Sequence, residues 1–502
     1  MTLSAKTITA VLALSAAIAA LAVSNQSYWI DEALSLIVAQ APTPSDAWKY
    51  MMAVSGSTLQ MPLYQLYLYV WHKVFWDGEW VMRASNIPWF LLGQLAFLVL
   101  LRNKPKLALF ACLLAAVSPA VWMYLDETRP YIMQYAAACW LTAAVVRLTT
   151  SDEPTSPLTS VALAGSVVVL FGSSLIGVLW AGAFALALLV LMVRKKFVHS
   201  GVSPALWTAG ILAGVVLGLF ATYYALTWQD AGRGYHRSGS SLLSLPFLAY
   251  ELLGFTGFGP GKVELRAAPL RSLAQSTPAL IPLGAALVAL VFFAATRSGK
   301  RSRNATAIIA WSIALGLPTI AIFSAMFLHD HRPVPRHFLP ALPAVILALA
   351  AILTQAFEQK SFLWRAAALL LPLLWLTSAL NYRWQPPHAK EDYRTAAKIA
   401  SAALAQGKEV WWAADPAAAH VYLTPIALEE IPGRAWAMQA PSWDAIRFKF
   451  PPRVIVLSKP DIYDPQGAVV RYTDENHFVP ARQLHAVTIF TREGEALPEI
   501  SP

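Results

Sequence analysis

Residues 7–24 read TITAVLALSAAIAALAVS, and shortly after them comes S27-Y-W-I-D-E-A-L-S35. The first run is uncharged and close to the ~20 residues that cross a bilayer. The second sets two adjacent carboxylates, Asp31 and Glu32, among Tyr28, Trp29, Ile30 and Leu34. This is the pattern of a membrane helix whose mouth carries an acid pair. A cleaved signal peptide is the other reading, since Lys6 precedes the run and Ala20-Leu21-Ala22 ends it. The apolar run exceeds the roughly 7–15 residues of such peptides, which favours a retained span.

The rest of the chain repeats the pattern. Its hydrophobic fraction of 57% stands above the roughly 45–50% of soluble domains. Apolar runs near 7–24, 86–101, 105–124, 131–149, 158–172, 174–193, 204–226, 277–296, 305–328, 338–355 and 363–380 predict a polytopic α-helical membrane protein of about eleven spans. Residues 158–193 read either as two short helices joined at Gly172-Ser173-Ser174 or as one long re-entrant element.

Basic residues set the orientation. With the N-terminus inside, fourteen Lys and Arg fall on inner connections, from Lys6 and R102-N-K-P-K106 to R297-S-G-K-R-S-R303 and Arg365. The short outer turns carry three, and two long outer loops add eight. The net charge of +10 is therefore a topology signal and not a nucleic-acid footprint. Cys112 and Cys139 lie inside expected helices, where they read as small hydrophobes and not as a disulfide framework or thiolate metal site.

This gives a transmembrane domain over residues 1–380, with outer loops at 25–85 and 227–276, and a small soluble α/β domain over 381–502. In the first loop, residues 48–54 and 64–75 carry aromatic and aliphatic groups at helical spacing, as in helices lying at a membrane interface. In the tail, residues 392–405 read as an amphipathic helix, and 410–413, 453–457 and 487–490 as short strands. G254-F-T-G-F-G-P-G-K262 fails the phosphate-loop pattern, because Thr256 replaces its first glycine and Val263 its Ser or Thr. It reads as a flexible loop.

Three constellations could carry chemistry. Asp31 and Glu32 are either a solvated helix start, favoured by the helix dipole, or carboxylates held at a membrane surface for a task. Y124-L-D-E-T-R-P-Y131 brings Asp126, Glu127 and Arg129 to an outer turn, with Pro130 suited to a first helical turn. H329-D-H-R-P-V-P-R-H337 sets His331, Arg332, Arg336 and His337 before a helix. Cations there oppose the dipole unless an anion such as phosphate is present. A metal reading of the HDH triplet stays open beside it. Arg233, His236 and Arg237 could add to the same site. Acids near arginines at a membrane surface suit a reaction in which a carboxylate takes a proton while cations stabilise a departing phosphate.

Three stretches carry a resemblance: W29-I-D-E-A-L-S35, E127-T-R-P-Y131 and the run RHFLPALP from Arg336 to Pro343. On them, residues 7–380 resemble the GT-C superfamily of membrane glycosyltransferases. The likeness is to the group of protein O-mannosyltransferases and lipid A aminoarabinose transferases. The resemblance implies inverting transfer of a sugar from a polyprenyl-phosphate donor to a lipid, glycan or protein acceptor. The reaction would sit on the periplasmic face of the inner membrane, among membrane lipids and without nucleic acid. It makes Asp31 the base that activates the acceptor hydroxyl, with Glu32 orienting the site or a divalent metal. Glu127 matches the second acidic position, with Asp126 beside it and Arg129 structuring the turn; Arg129, Tyr131, Arg237, Arg336 and His337 bind the substrate, with Arg336 on the phosphate. Relatives often show a His-Tyr pair where this chain has Gly172-Ser173-Ser174. The competing readings are a transporter or flippase of a lipid-linked substrate, which would place charges at mid-bilayer and often repeat itself, and a non-catalytic assembly factor.

Overall fold

The computed structural model describes residues 3–150, 156–198, 204–231, 244–297, 305–329, 333–438 and 446–500. The chain forms two compact units. One comprises Met1–Ser24, Met51–Trp71 and Val81–His388; the other comprises Asn25–Tyr50, His72–Trp80 and Ala389–Pro502.

The first unit is helical. Among the described residues, nine helices are long and apolar enough to cross a membrane: Ala5–Ala22, Glu79–Leu100, Tyr131–Thr150, Leu175–Arg194, Thr208–Ala231, Pro269–Thr296, Ala305–Leu328, Pro335–Phe357 and Phe362–Trp384. The chain is thus a multi-pass membrane protein. Large apolar side chains such as Ile211, Leu212, Val215 and Leu219 stand exposed along one of these helices, as lipid contact requires. Where helices meet, small residues let them close up: a Cβ on Gly93 would lie 3.3 Å from Cys139 Sγ.

Every apolar run read from the sequence has a matching helix, 105–124 differs in form, and 158–193 takes the two-helix one of its two readings. Residues 105–124 are not one straight span; Pro105–Val117 and Pro119–Leu125 meet at 58°. The cause is local. Ser118 leaves the helix and caps the next one, accepting the Val121 N–H at 3.4 Å, and Pro119 is suited to a first turn. Residues 158–193 form two helices, Pro157–Ser173 and Leu175–Val198, packed on each other and broken at Ser174.

The glycine-rich run differs from its reading as a flexible loop, because it is pinned to the helix Phe362–Trp384. Gly254 takes φ +86°, which favours glycine. A Cβ on Gly257 would fall 1.8 Å from the Ser378 carbonyl oxygen. Ser378 Oγ–H donates to the Gly254 carbonyl at 2.7 Å, and the Gly257 N–H donates to Ser378 Oγ at 3.1 Å. These glycines serve close backbone approach.

The second unit is α/β. Its strands are β1 (Val410–Ala413), β2 (Ile426–Ala427), β3 (Ala435–Trp436), β4 (Val454–Ser458), β5 (Phe478–Leu484) and β6 (Val487–Arg492), in the order β2-β3-β1-β4-β6-β5. The first four pair in parallel, β6 pairs antiparallel with β4, and β5 pairs antiparallel with β6. β1 and β4 are buried throughout, as strands covered on both faces must be. Trp412, Val454 and Val456 face the helix Tyr393–Ala405, whereas Trp411, Ile455 and Leu457 face Val469 and Tyr472.

Candidate functional site

In the first unit the turn after Leu125 is buried, not exposed: Asp126, Glu127 and Arg129 are each 4–5% exposed. Asp126 is held from two sides. The Ser24 N–H and Oγ–H donate to its two carboxylate oxygens, the hydroxyl at 2.9 Å. The wholly buried Arg83 guanidinium donates to the Ser24 carbonyl at 3.1 Å and lies 3.9 Å from Asp126. Asn86 Nδ2 donates to the carbonyls of Leu125 (3.1 Å) and Glu127 (2.7 Å), fixing the turn itself. These contacts make Asp126 a clasp on the end of the first helix.

Glu127 faces a different set of groups. Lys262 Nζ, delivered by the pinned glycine segment, lies 3.4 Å from its Oε1. Tyr131 packs edge-on against Tyr124, with ring centroids 5.0 Å apart. Tyr124 Oη–H donates to Glu251 Oε1 at 2.5 Å. Glu251, in the short helix Ser244–Leu252, is pushed up to about 7, chiefly by burial. Glu127 pushes the same way; the Tyr124 bond and the positive charges of Lys262 and Arg336 oppose it. Arg336 is half-buried on the 3₁₀ turn Pro335–Ala341, and the carbonyl of His337 accepts Trp180 Nε1–H at 2.9 Å. The fold thus gathers Glu127, Glu251, Lys262 and Arg336 into one electrostatic cluster.

Glu251 and Lys262 were not among the sequence candidates. The signal for Glu251 was there, a lone acid in the apolar helix S244-L-P-F-L-A-Y-E-L252. Arg237, together with Arg233, His236, His331 and Arg332, lies outside the described residues. Among the described residues, no three His, Cys, Asp or Glu side chains converge as a metal ion would need. Cys112 and Cys139 are free and buried.

Asp31 and Glu32 belong to the second unit, in the first turn of the helix Ile30–Ala39. They differ sharply. Glu32 is fully buried; its carboxylate accepts the Trp29 N–H at 3.3 Å and pairs with Lys390 Nζ at 3.1 Å. Asp31 is only half-buried. Its helix packs on Pro416–His420, which is capped by Asp415, whose side chain accepts the Ala417 N–H at 2.9 Å. Burial raises the Asp415 carboxyl, and the negative charge of Asp31 adds to this. Asp415 follows β1 and Lys459 follows β4, at the carboxyl ends of adjacent parallel strands whose connections diverge. In open α/β sheets that is the crevice where ligands bind. Lys459 takes a left-handed φ of 43° and pairs with Glu391 at 2.8 Å.

No family model matches the chain, and no curated protein matches it. Among solved structures it is similar to the crystal structure of ArnT from Cupriavidus metallidurans in the apo state, at 15% identity over 97% of this chain and 98% of that one (TM-score 0.48). It is similar to the same protein bound to undecaprenyl phosphate, at 14% identity over 99% and 100% (TM-score 0.47). The arabinofuranosyltransferase AftD from Mycobacteria is similar at 14% identity over 99% of this chain and 40% of its own length (TM-score 0.43).

Proposed function

We propose that the chain is an inverting glycosyltransferase that moves a sugar from a polyprenyl-phosphate donor to an acceptor hydroxyl at the periplasmic face of the inner membrane. The observation that carries this reading is the cluster of Lys262 and Arg336 against Glu127 and Glu251, with Arg336 at the first turn of the span Pro335–Phe357. Cations so placed suit a phosphate. In this reading Asp31 takes the proton from the acceptor hydroxyl as oxygen attacks the anomeric carbon. The bond to the phosphate oxygen breaks on the opposite face, and the phosphate leaves with the electron pair. Arg336 and Lys262 stabilise the charge it gains, which favours the transition state over the ground state.

The test is transfer of radiolabelled sugar from an undecaprenyl-phosphate carrier to an envelope lipid fraction by purified protein. Lys in place of Arg keeps the charge but loses the fork that grips two oxygens. Arg336→Lys is therefore expected to retain part of the activity and Arg336→Ala to lose most of it, chiefly in kcat. Normal turnover by a folded Arg336→Ala variant removes the phosphate role from this residue. No transfer from any polyprenyl-phosphate sugar removes the function.

Orientation has its own test. Gln466 is exposed in the second unit, and the native thiols Cys112 and Cys139 are buried. Gln466→Cys should react with a membrane-impermeant thiol reagent in cells with a permeabilised outer barrier, and Ser302→Cys should not. The reverse pattern would place every candidate residue on the cytoplasmic side.

A further inference from the structure

Glu251 is a buried acid to which the proposed reaction assigns no role. It is 6% exposed, with Tyr124 donating to it at 2.5 Å. The helix Ser244–Leu252 packs on the 3₁₀ turn Pro335–Ala341, which carries Arg336, and on Pro119–Leu125, which carries Tyr124. Glu127 and, from the glycine segment, Lys262 also act on Glu251, and Tyr250 and Tyr382 feel its charge. A phosphate held by Lys262 and Arg336 would therefore sit in a field that Glu251 can either leave intact or oppose.

We propose that Glu251 is a positioning residue for the donor phosphate: as a carboxylic acid it fills its place without opposing Lys262 and Arg336, and as a carboxylate it subtracts from their field and weakens phosphate binding. This rests on the reading of the chain as a lipid-phosphate-dependent transferase. The proton that Glu251 loses goes to solvent, and no bond of the substrate changes. The sign follows directly. Glu251 is an acid below about 7 and a carboxylate above it, so phosphate binding weakens as pH rises. A phosphate monoester gains its second charge near pH 6, which works in the opposite direction, so the variants must be compared with the parent and not judged alone.

The experiment is binding of decaprenyl monophosphate to full-length protein in detergent, followed by tryptophan fluorescence from about pH 5.5 to 9, a range that brackets the Glu251 transition. The parent's affinity is expected to fall on the order of tenfold above neutrality, the scale of one charge acting across a protein surface. Glu251→Gln should abolish that fall. The Tyr124 bond favours the carboxylate, so Tyr124→Phe should move the midpoint to higher pH, and it decides the matter if Glu251→Gln does not fold. Equal slopes in parent and Glu251→Gln, or a Tyr124→Phe midpoint that stays or moves acid, overturn the proposal alone. Folded proteins that bind no lipid phosphate at any pH overturn the donor class, and the proposal with it.

Discussion

Asp31→Asn is expected to slow sugar transfer by ~10²–10⁴-fold, the usual contribution of a positioned general base, with insertion and unfolding temperature close to the parent's. The substitution is nearly isosteric, and Asp31 is half-buried in the first turn of its helix. What changes is the capacity to take a proton, which an amide lacks. The loss should appear in the single-turnover rate of transfer, and donor binding should change little. A purified Asp31→Asn protein that turns over at near the parent rate would end the assignment. Asp415 would then be the next acid to examine, because it caps the helix on which the Asp31 helix packs and feels the Asp31 charge.

The second large effect is one of stability. Lys390→Met should cost the second unit about 3–5 kcal/mol, the usual effect of leaving a buried charge without its partner. Glu32 is 0% exposed and Lys390 stands 3.1 Å from it, so the carboxylate loses an ammonium at a site where it has little access to water. By the scaling for domains of this size, the apparent unfolding temperature in detergent should drop on the order of 10 °C. Glu32→Gln combined with Lys390→Met removes the stranded charge and should recover much of the loss. If the single and double variants unfold together, the pair contributes little and Glu32 matters only as a cap for its own helix.

Much of the architecture was legible because a bilayer imposes a one-dimensional rule. Runs of uncharged residues of sufficient length are spans, and each run from residues 7–24 to 363–380 lies on a helix. The break at Ser118 was also written in the sequence, as Ser-Pro in the middle of an apolar run, but a single hydrophobic count does not see it. The strands β1, β4 and β6 stood out as apolar runs, whereas β2 and β3 are two residues each and leave no pattern. The site was legible only in part. Asp126 and Glu127 are adjacent in sequence, yet one clasps Ser24 and Arg83 while the other faces Lys262. That division depends on partners far along the chain, which spacing cannot give. The ion pair of Glu32 with Lys390 and that of Glu79 with Arg394 were hidden for the same reason.

Those two pairs constrain how the chain can be made. The second unit is assembled from Asn25–Tyr50, His72–Trp80 and Ala389–Pro502, so its opening pieces leave the ribosome long before its closing one. Glu32 and Glu79 must wait for Lys390, Arg394 and Tyr422, the last donating to Glu79 at 3.1 Å, while the intervening spans are inserted one after another. During that interval the first loop carries two acids whose partners have not yet been made. A chain that ends before Lys390 therefore lacks the partners of both Glu32 and Glu79.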